Sequence, residues 1–216
     1  ARAAGNEIMS DKRIPTKVIV EELEVQSGKT LLITGASGSF GQIAVPIAKS
    51  MGLRVVVTGN TRSQDKLLKM GVDQYVDYKK ENYWEILSDL DYVIDTLGAN
   101  EFEHELSVLK KGGRLLSLRT APNKMFAKRN GFSWFKRLLF TLAGSKFDSK
   151  ARKQEKEYRF MFVRSSGDQL KRVTEIVEKY HIMPDIDART FSLSQVNEAL
   201  GLMAHGKLNG KIIINM

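Results

Sequence analysis

The chain has 216 residues, 42% of them hydrophobic and 27% charged, with a net charge of +9 and no cysteine. That is enough for one large globular domain with its own core, and it excludes disulfides and thiolate metal sites. No stretch reaches the roughly 18 consecutive apolar residues that a membrane-spanning helix needs, and the opening ARAAGNEIMSDKR has no secretory pattern.

In chain order, residues 15–25 (PTKVIVEELEV) carry apolar residues at helical spacing, with Pro15 at the start. TLLITG (30–35) reads as a buried strand, followed by a glycine-rich turn and a helix over 40–52, ended by Gly52 and weakened at Pro46. A β-branched strand at 54–58 leads to a helix over 62–70 ended by Gly71. A brief strand at 74–78 and a short helix at 82–88 come next. Residues 91–96 (DYVIDT) form another buried strand. A helix over 100–110 is stopped by Gly112-Gly113, with Lys110-Lys111 at its C-terminus, and RLLSL (114–118) is a further strand. The pattern breaks between residues 120 and 158. Beyond it lie a strand at 158–164, amphipathic helices over 167–180 and 194–205, and a closing strand, KIIINM.

Strands alternating with helices predict an α/β fold, a doubly wound parallel sheet of the Rossmann type. The chain divides into an unassigned segment, 1–13, and one dinucleotide-binding domain, 14–216, carrying a basic helical insert at about 121–157. Residues 121–160 hold eleven Lys or Arg against three acids, so this block carries +8 of the net +9. The charge excess therefore belongs to one element, which argues against nucleic acid as the partner.

The motif that carries chemistry is LLITGASGSFGQ. Gly35, Gly38 and Gly41, with Ala36, give A-x-G-x-x-G between a strand and a helix. A small residue makes the tight turn, the next admits a pyrophosphate, and the last lets helix and strand pack closely. Amides at the start of the helix then face the anion. An NAD site usually has an acid at the end of the second strand, about 20 residues on. Here Gly59, Asn60, Thr61 and Arg62 stand at that tip, without a carboxylate. A guanidinium beside an uncharged tip suits a 2′-phosphate, so NADP(H) is the expected cofactor. Ligands in open α/β sheets sit outside the carboxyl ends of the strands. That adds Thr96, Leu97 and Gly98, then Leu118, Arg119 and Thr120, with Tyr78 on the adenosine side. His104, His181 and His205 are scattered without metal-ligand spacing, and no G-x-S-x-G elbow occurs. No residue is singled out as catalytic.

Residues 35–84, followed by DYVIDTLGANEFEHELSVLKKGGRLLSL and the ending FSLSQVNEALGLMAHGKLNGKIIINM, resemble the cofactor domain of medium-chain dehydrogenase/reductases. The similarity is to the zinc-free quinone oxidoreductase and enone reductase branch. It implies hydride transfer from NADPH to a quinone or an activated alkene, without metal, on a small-molecule substrate. It also implies that Ser37, Gly38, Ser39, Phe40 and Gly41 hold the diphosphate and that Asn60, Arg62 and Lys66 hold the 2′-phosphate. Tyr78 would lie by the adenosine ribose, Gly98, Leu118 and Arg119 would border the cofactor, and Phe160 to Phe162 would lie near the nicotinamide. The family's N-terminal GroES-like domain is not recognisable in ARAAGNEIMSDKRI, so cofactor binding with little turnover is expected of this chain alone.

Two other readings remain open. TGASGSFG (34–41) also resembles atypical short-chain dehydrogenases and NmrA-like redox sensors, and Tyr75 to Lys79 is a Tyr-x-x-x-Lys match. That match falls on a short strand, too early for those enzymes' catalytic helix. The insert, with Phe132, Trp134, Phe135 and Phe140 beside Lys136 and Arg137, could cover the cofactor cleft, join a homo-oligomer, or meet anionic lipid or RNA. Cleft cover is the first expectation. The absence of cysteine fits a reducing cytoplasm.

Overall fold

The computed structural model describes residues 19, 22–162, 167–179, 183, 186–205 and 210–215. Six strands are β1 (Thr30–Ile33), β2 (Arg54–Gly59), β3 (Gln74–Asp77), β4 (Leu90–Asp95), β5 (Leu109–Ser117) and β6 (Glu157–Phe160). They pair in parallel in the order β3-β2-β1-β4-β5-β6, with Leu31 opposite Val55 on one side and Tyr92 on the other. All six carboxyl ends therefore share one edge. The chain winds outward from β1 to β3 and then crosses back to β4, so the winding reverses between β1 and β4.

Successive strand residues point to opposite faces, and both faces are covered. Leu31 and Ile33 pack with Ile43, Ala44 and Ile47 of helix α1 (Ser39–Ser50), whereas Leu32 faces Phe102 and Leu106 on the other side. This is why the strands read as unbroken apolar runs. Helix α1 continues through Pro46 and ends at Gly52, whose φ of 74° is left-handed and whose N–H returns to Lys49 O at 2.9 Å. The helices that follow are α2 (Gln64–Lys69), α3 (Tyr83–Ile86) and α4 (Phe102–Ser107). The basic insert consists of α5 (Lys124–Arg129) and α6 (Trp134–Lys153), and α7 (Gly167–Lys179) and α8 (Val196–Ala204) complete the set.

Two expectations are corrected. The helix expected to run to Lys110 stops at Ser107, and β5 starts at Leu109. Leu90 pairs with Leu109 and Tyr92 with Arg114, so Lys110 to Gly113 form a bulge in β5, not a helix end. Leu109 is buried and Lys110 is ion-paired to Asp91, and these two contacts outweigh the local helix-stop signal. The second correction is strand β7 (Ile186–Ser192), which was not expected. It pairs in parallel with the closing strand, β8 (Lys211–Asn215), as a separate two-stranded sheet. Most of the helix expected over 15–25 and the end of the strand expected to reach 164 lie outside the described residues. Within the former, Ile19 and Leu23 are fully buried.

Candidate functional site

The residues singled out in the sequence line the shared carboxyl edge in the order of the strands. Tyr78 follows β3, Asn60 to Arg62 follow β2, and the glycine turn follows β1. Thr96 to Gly98 then follow β4, Leu118 and Arg119 follow β5, and Phe162 follows Phe160 at the end of β6. With strands about 4.8 Å apart, this edge spans roughly 24 Å.

The glycine turn is built tightly. Gly35 has φ of 65°, its N–H bonds to Thr58 Oγ1 at 3.0 Å, and Ala36 N–H bonds to Thr58 O at 2.8 Å. A Cβ on Gly35 would lie 2.6 Å from Thr96 Oγ1, and one on Gly41 would lie 2.1 Å from Ala36 O. Both positions need glycine for the fold. Gly38 does not. Its φ of −79° suits any residue, and a Cβ there would meet nothing closer than Gly35 O at 3.7 Å. Gly38 is the N-cap of α1, no side chain caps that end, and the first turn contains no acid. The open concavity and the uncapped amides fit a bound pyrophosphate.

Beside the turn, Asn60, Thr61, Arg62, Tyr78 and Lys79 line a hollow of about 350 Å³. Arg62 and Tyr78 are exposed there. The other two are partly engaged: Asn60 Oδ1 accepts Ser63 N–H at 3.2 Å, and Thr61 Oγ1 donates to Asp77 Oδ2 at 2.5 Å. Asp77 is a carboxylate beside this tip that sequence reasoning did not anticipate. Its hydrogen bond from Thr61, helped by Lys79 N–H, holds it below the usual carboxylate range. It is therefore committed to the protein. Lys66 on α2 is half-buried, and burial lowers its pKa. A second hollow, about 280 Å³, lies at the opposite, N-terminal edge of the sheet, against Thr30, Arg54 and Leu90.

The loop after β4 rests on buried polar groups that the sequence reading missed. Asp95 Oδ1 accepts Leu97 and Gly98 N–H at 2.7 Å each, and its Oδ2 accepts Ser117 Oγ at 2.5 Å. Ser117 Oγ in turn accepts Arg119 N–H at 3.1 Å and Thr120 N–H at 3.0 Å, so one network orients both strand ends. Thr34 Oγ1 donates to Glu105 Oε1 at 2.8 Å, and Thr96 Oγ1 donates to Thr34 O at 2.7 Å. Burial, with Asp95 nearby, pushes the Glu105 pKa well up and keeps this acid protonated. A signal for four of these residues was present: Thr34, Thr58, Asp95 and Ser117 are each the first polar residue after an apolar strand run.

Other positions fall elsewhere. Phe160 is half-buried and packs edge-on against Phe126, with ring centroids 5.2 Å apart, while Phe162 is exposed. Tyr75 donates its hydroxyl to Asn60 O at 2.6 Å, and burial pushes its pKa up to about 12. A tyrosine that acts as a proton donor beside lysine needs the opposite shift, so Tyr75 and Lys79 do not form such a pair. His104 stacks on Trp84 with ring centroids 3.7 Å apart.

A doubly wound parallel sheet with a glycine turn at its switch point defines the class: a Rossmann-type α/β domain. The family follows from the comparisons. A family model described as "Zinc-binding dehydrogenase" matches residues 70–214, and the chain belongs to this family, the medium-chain dehydrogenase/reductases. It is 32% identical over 197 residues to the mouse (Mus musculus) "NAD(P)H oxidoreductase RTN4IP1, mitochondrial", covering 88% of this chain and 48% of that one. It is 26% identical over 199 residues to the tomato (Solanum lycopersicum) "2-methylene-furan-3-one reductase", covering 91% of this chain and 42% of that protein. The fold also matches the quinone oxidoreductase from Coxiella burnetii, with a TM-score of 0.73 at 20% identity, over 96% of this chain and 57% of that one. The chain thus spans about half the length of the curated relatives it matches. The family's name implies zinc. The chain has no cysteine, and among the described residues no three His, Asp or Glu gather to hold a metal ion, so these residues do not fit a zinc site.

Proposed function

We propose that this chain is the NADP(H)-binding part of a zinc-independent oxidoreductase that transfers hydride from NADPH to a quinone or an activated alkene or carbonyl. The observation that carries this reading is Gly38. It is a glycine that neither backbone angle nor packing requires, at the uncapped start of a helix on the carboxyl edge of the sheet. When bound, the nicotinamide supplies the hydride.

The chain's own residues bind and orient. Amides of residues 38–41 receive the pyrophosphate, and Gly41 lets α1 approach closely enough to present them. Arg62, at a strand tip whose neighbouring carboxylate is already engaged by Thr61, receives the 2′-phosphate, with Asn60 and Lys66 beside it. Tyr78 lies against the adenosine ribose. The loop 96–98 and the end of β5 at Leu118 and Arg119, held by Asp95 and Ser117, border the rest of the cofactor and keep water from it. Phe160 and Phe162 close the nicotinamide end.

Because the chain corresponds to about half of its relatives, it binds cofactor but turns over little by itself, the second wall of the substrate cleft being supplied elsewhere. The proposed compartment is reducing, the cytoplasm in the first instance, although the mouse relative carries the name mitochondrial.

Fluorescence titration with NADPH and NADH tests the reading. Losing one charge-assisted contact of about 1.5–3 kcal/mol in Arg62→Ala should weaken NADPH roughly 10- to 100-fold and leave NADH nearly unchanged. Binding of neither nucleotide overturns the proposal, and equal losses for both overturn the 2′-phosphate assignment.

A further inference from the structure

The basic insert carries a surface that nucleotide binding does not use. One face of α6 is fixed against the protein. Phe140 lies 5.8 Å from the Phe126 ring, Phe147 lies 4.8 Å from Phe102, and a Cβ on Gly144 would lie 2.6 Å from Asn123 Cβ. With 100° per residue, the opposite arc holds Trp134, Phe135, Leu138, Leu139 and Leu142. These side chains are 77%, 55%, 51%, 49% and 63% exposed. Five large apolar groups on one arc within nine residues exceed the scattered apolar exposure of an ordinary surface.

The surroundings of this arc are cationic. Lys136, Arg137 and Lys146 flank it on α6, and Lys124 and Lys128 stand exposed on α5. The sole acid of α6, Asp148, is turned inward, where Asn123 Nδ2 donates to it at 2.7 Å. Toward the C-terminus the outward arc changes to Ser145, Ser149, Arg152 and Lys153. The apolar face is therefore short and shallow, and no described helix is long and apolar enough to cross a membrane.

We infer that the N-terminal half of α6 docks on an anionic lipid bilayer, its apolar arc seated at the headgroup level and its cations on the lipid phosphates. Aromatic residues at the start of the helix, leucines behind them and flanking lysines are the chemistry of an interfacial helix. A second copy of the chain is a poorer occupant, since a self-complementary contact would bring two blocks of +8 together. Nucleic acid would use the cations and rings but leaves Leu138, Leu139 and Leu142 without a partner. The inference is independent of the cofactor reading.

The test is co-sedimentation of the whole chain with vesicles of phosphatidylcholine alone, or containing about a third phosphatidylglycerol, with tryptophan emission as a second signal. Trp84 is half-buried against His104, so an emission shift reports Trp134, and Trp134→Phe should remove it. The expected result is binding to the anionic vesicles at least about tenfold tighter than to the neutral ones, weakening as salt rises. Leu138→Asp with Leu142→Asp should abolish binding while the circular-dichroism melt stays unchanged. Lys136→Glu with Lys146→Glu should weaken it at least about tenfold, and this second pair keeps the test decisive if the leucine pair unfolds the chain. No binding to anionic vesicles overturns the inference. So does a lipid-free dimer broken by the leucine variants, or capture by RNA that those variants leave intact.

Discussion

Exchanging the second and third glycines of the turn separates what the fold needs from what the ligand needs. In Gly41→Ala the new Cβ would lie 2.1 Å from Ala36 O and 2.4 Å from Ala36 Cα, and neither atom can swing aside because both are backbone. Overpacking of this kind costs about 1–3 kcal/mol or more, against about 1 kcal/mol returned by the better helix propensity of alanine. With a contact this short the upper end applies, so a net loss of about 2 kcal/mol is expected, lowering Tm by roughly 4–8 °C for a chain of this size. In Gly38→Ser the Cβ enters open space at an ordinary φ of −79°. Serine caps a helix better than glycine by a few tenths of a kcal/mol, and losing glycine's freedom in the unfolded chain adds about 0.4–1 kcal/mol. That variant should melt about 2–4 °C higher. Its hydroxyl, however, takes an amide and the space that a pyrophosphate would use, so NADPH binding should weaken at least about tenfold, or 1.4 kcal/mol. The assays are urea and thermal unfolding by circular dichroism and NADPH titration on the same preparations. A Gly38→Ser chain that binds like the parent refutes the cradle, and a Gly41→Ala chain of unchanged stability refutes the close approach of helix and turn.

Glu105→Gln keeps the shape of the protonated acid and its bond from Thr34, so it should unfold within about 1 kcal/mol of the parent at acidic pH. The raised Glu105 pKa means that the parent's stability is fully present below the unfolded value near 4.5 and is lost as pH rises toward the folded value. The glutamine chain should therefore gain on the parent from pH 5 to pH 8 in urea unfolding, and a constant difference would show that Glu105 is ionised in the fold. Ser117→Ala removes a donor to Asp95 and an acceptor for Arg119 and Thr120 N–H, and should cost about 1–3 kcal/mol along with weaker NADPH binding. Unchanged stability would mean that water replaces the hydroxyl. Tyr75→Phe should cost about 0.5–1.5 kcal/mol from the lost bond to Asn60 O, with NADPH binding retained. Loss of binding without loss of stability would give Tyr75 a direct role.

The sheet was legible because each strand is a short apolar run bounded by turn residues, and a strand covered on both faces leaves no other pattern. The glycine turn was legible for a related reason: its spacing has one economical use between a strand and a helix. The start of β5 was not legible, since Lys110-Lys111-Gly112-Gly113 has the local signature of a helix end, and only pairing with β4 and the Asp91 ion pair turn it into a bulge. Strand β7 escaped because its inward positions include Asp187, which is buried and satisfied by Arg189 at 2.8 Å. The support beneath the site escaped in the same way. Glu105 belongs to a helix of six residues, too short for periodicity to mark a buried face, and its partner Thr34 is 71 residues away in the chain.

The most direct test is a crystal structure of the chain with NADP⁺ bound. The account predicts the pyrophosphate over Gly38 against the amides of residues 39–41, the 2′-phosphate within hydrogen-bonding distance of Arg62, and the adenosine beside Tyr78. A nucleotide seated at another edge of the sheet, or with its 2′-phosphate turned away from Arg62 into solvent, would contradict it.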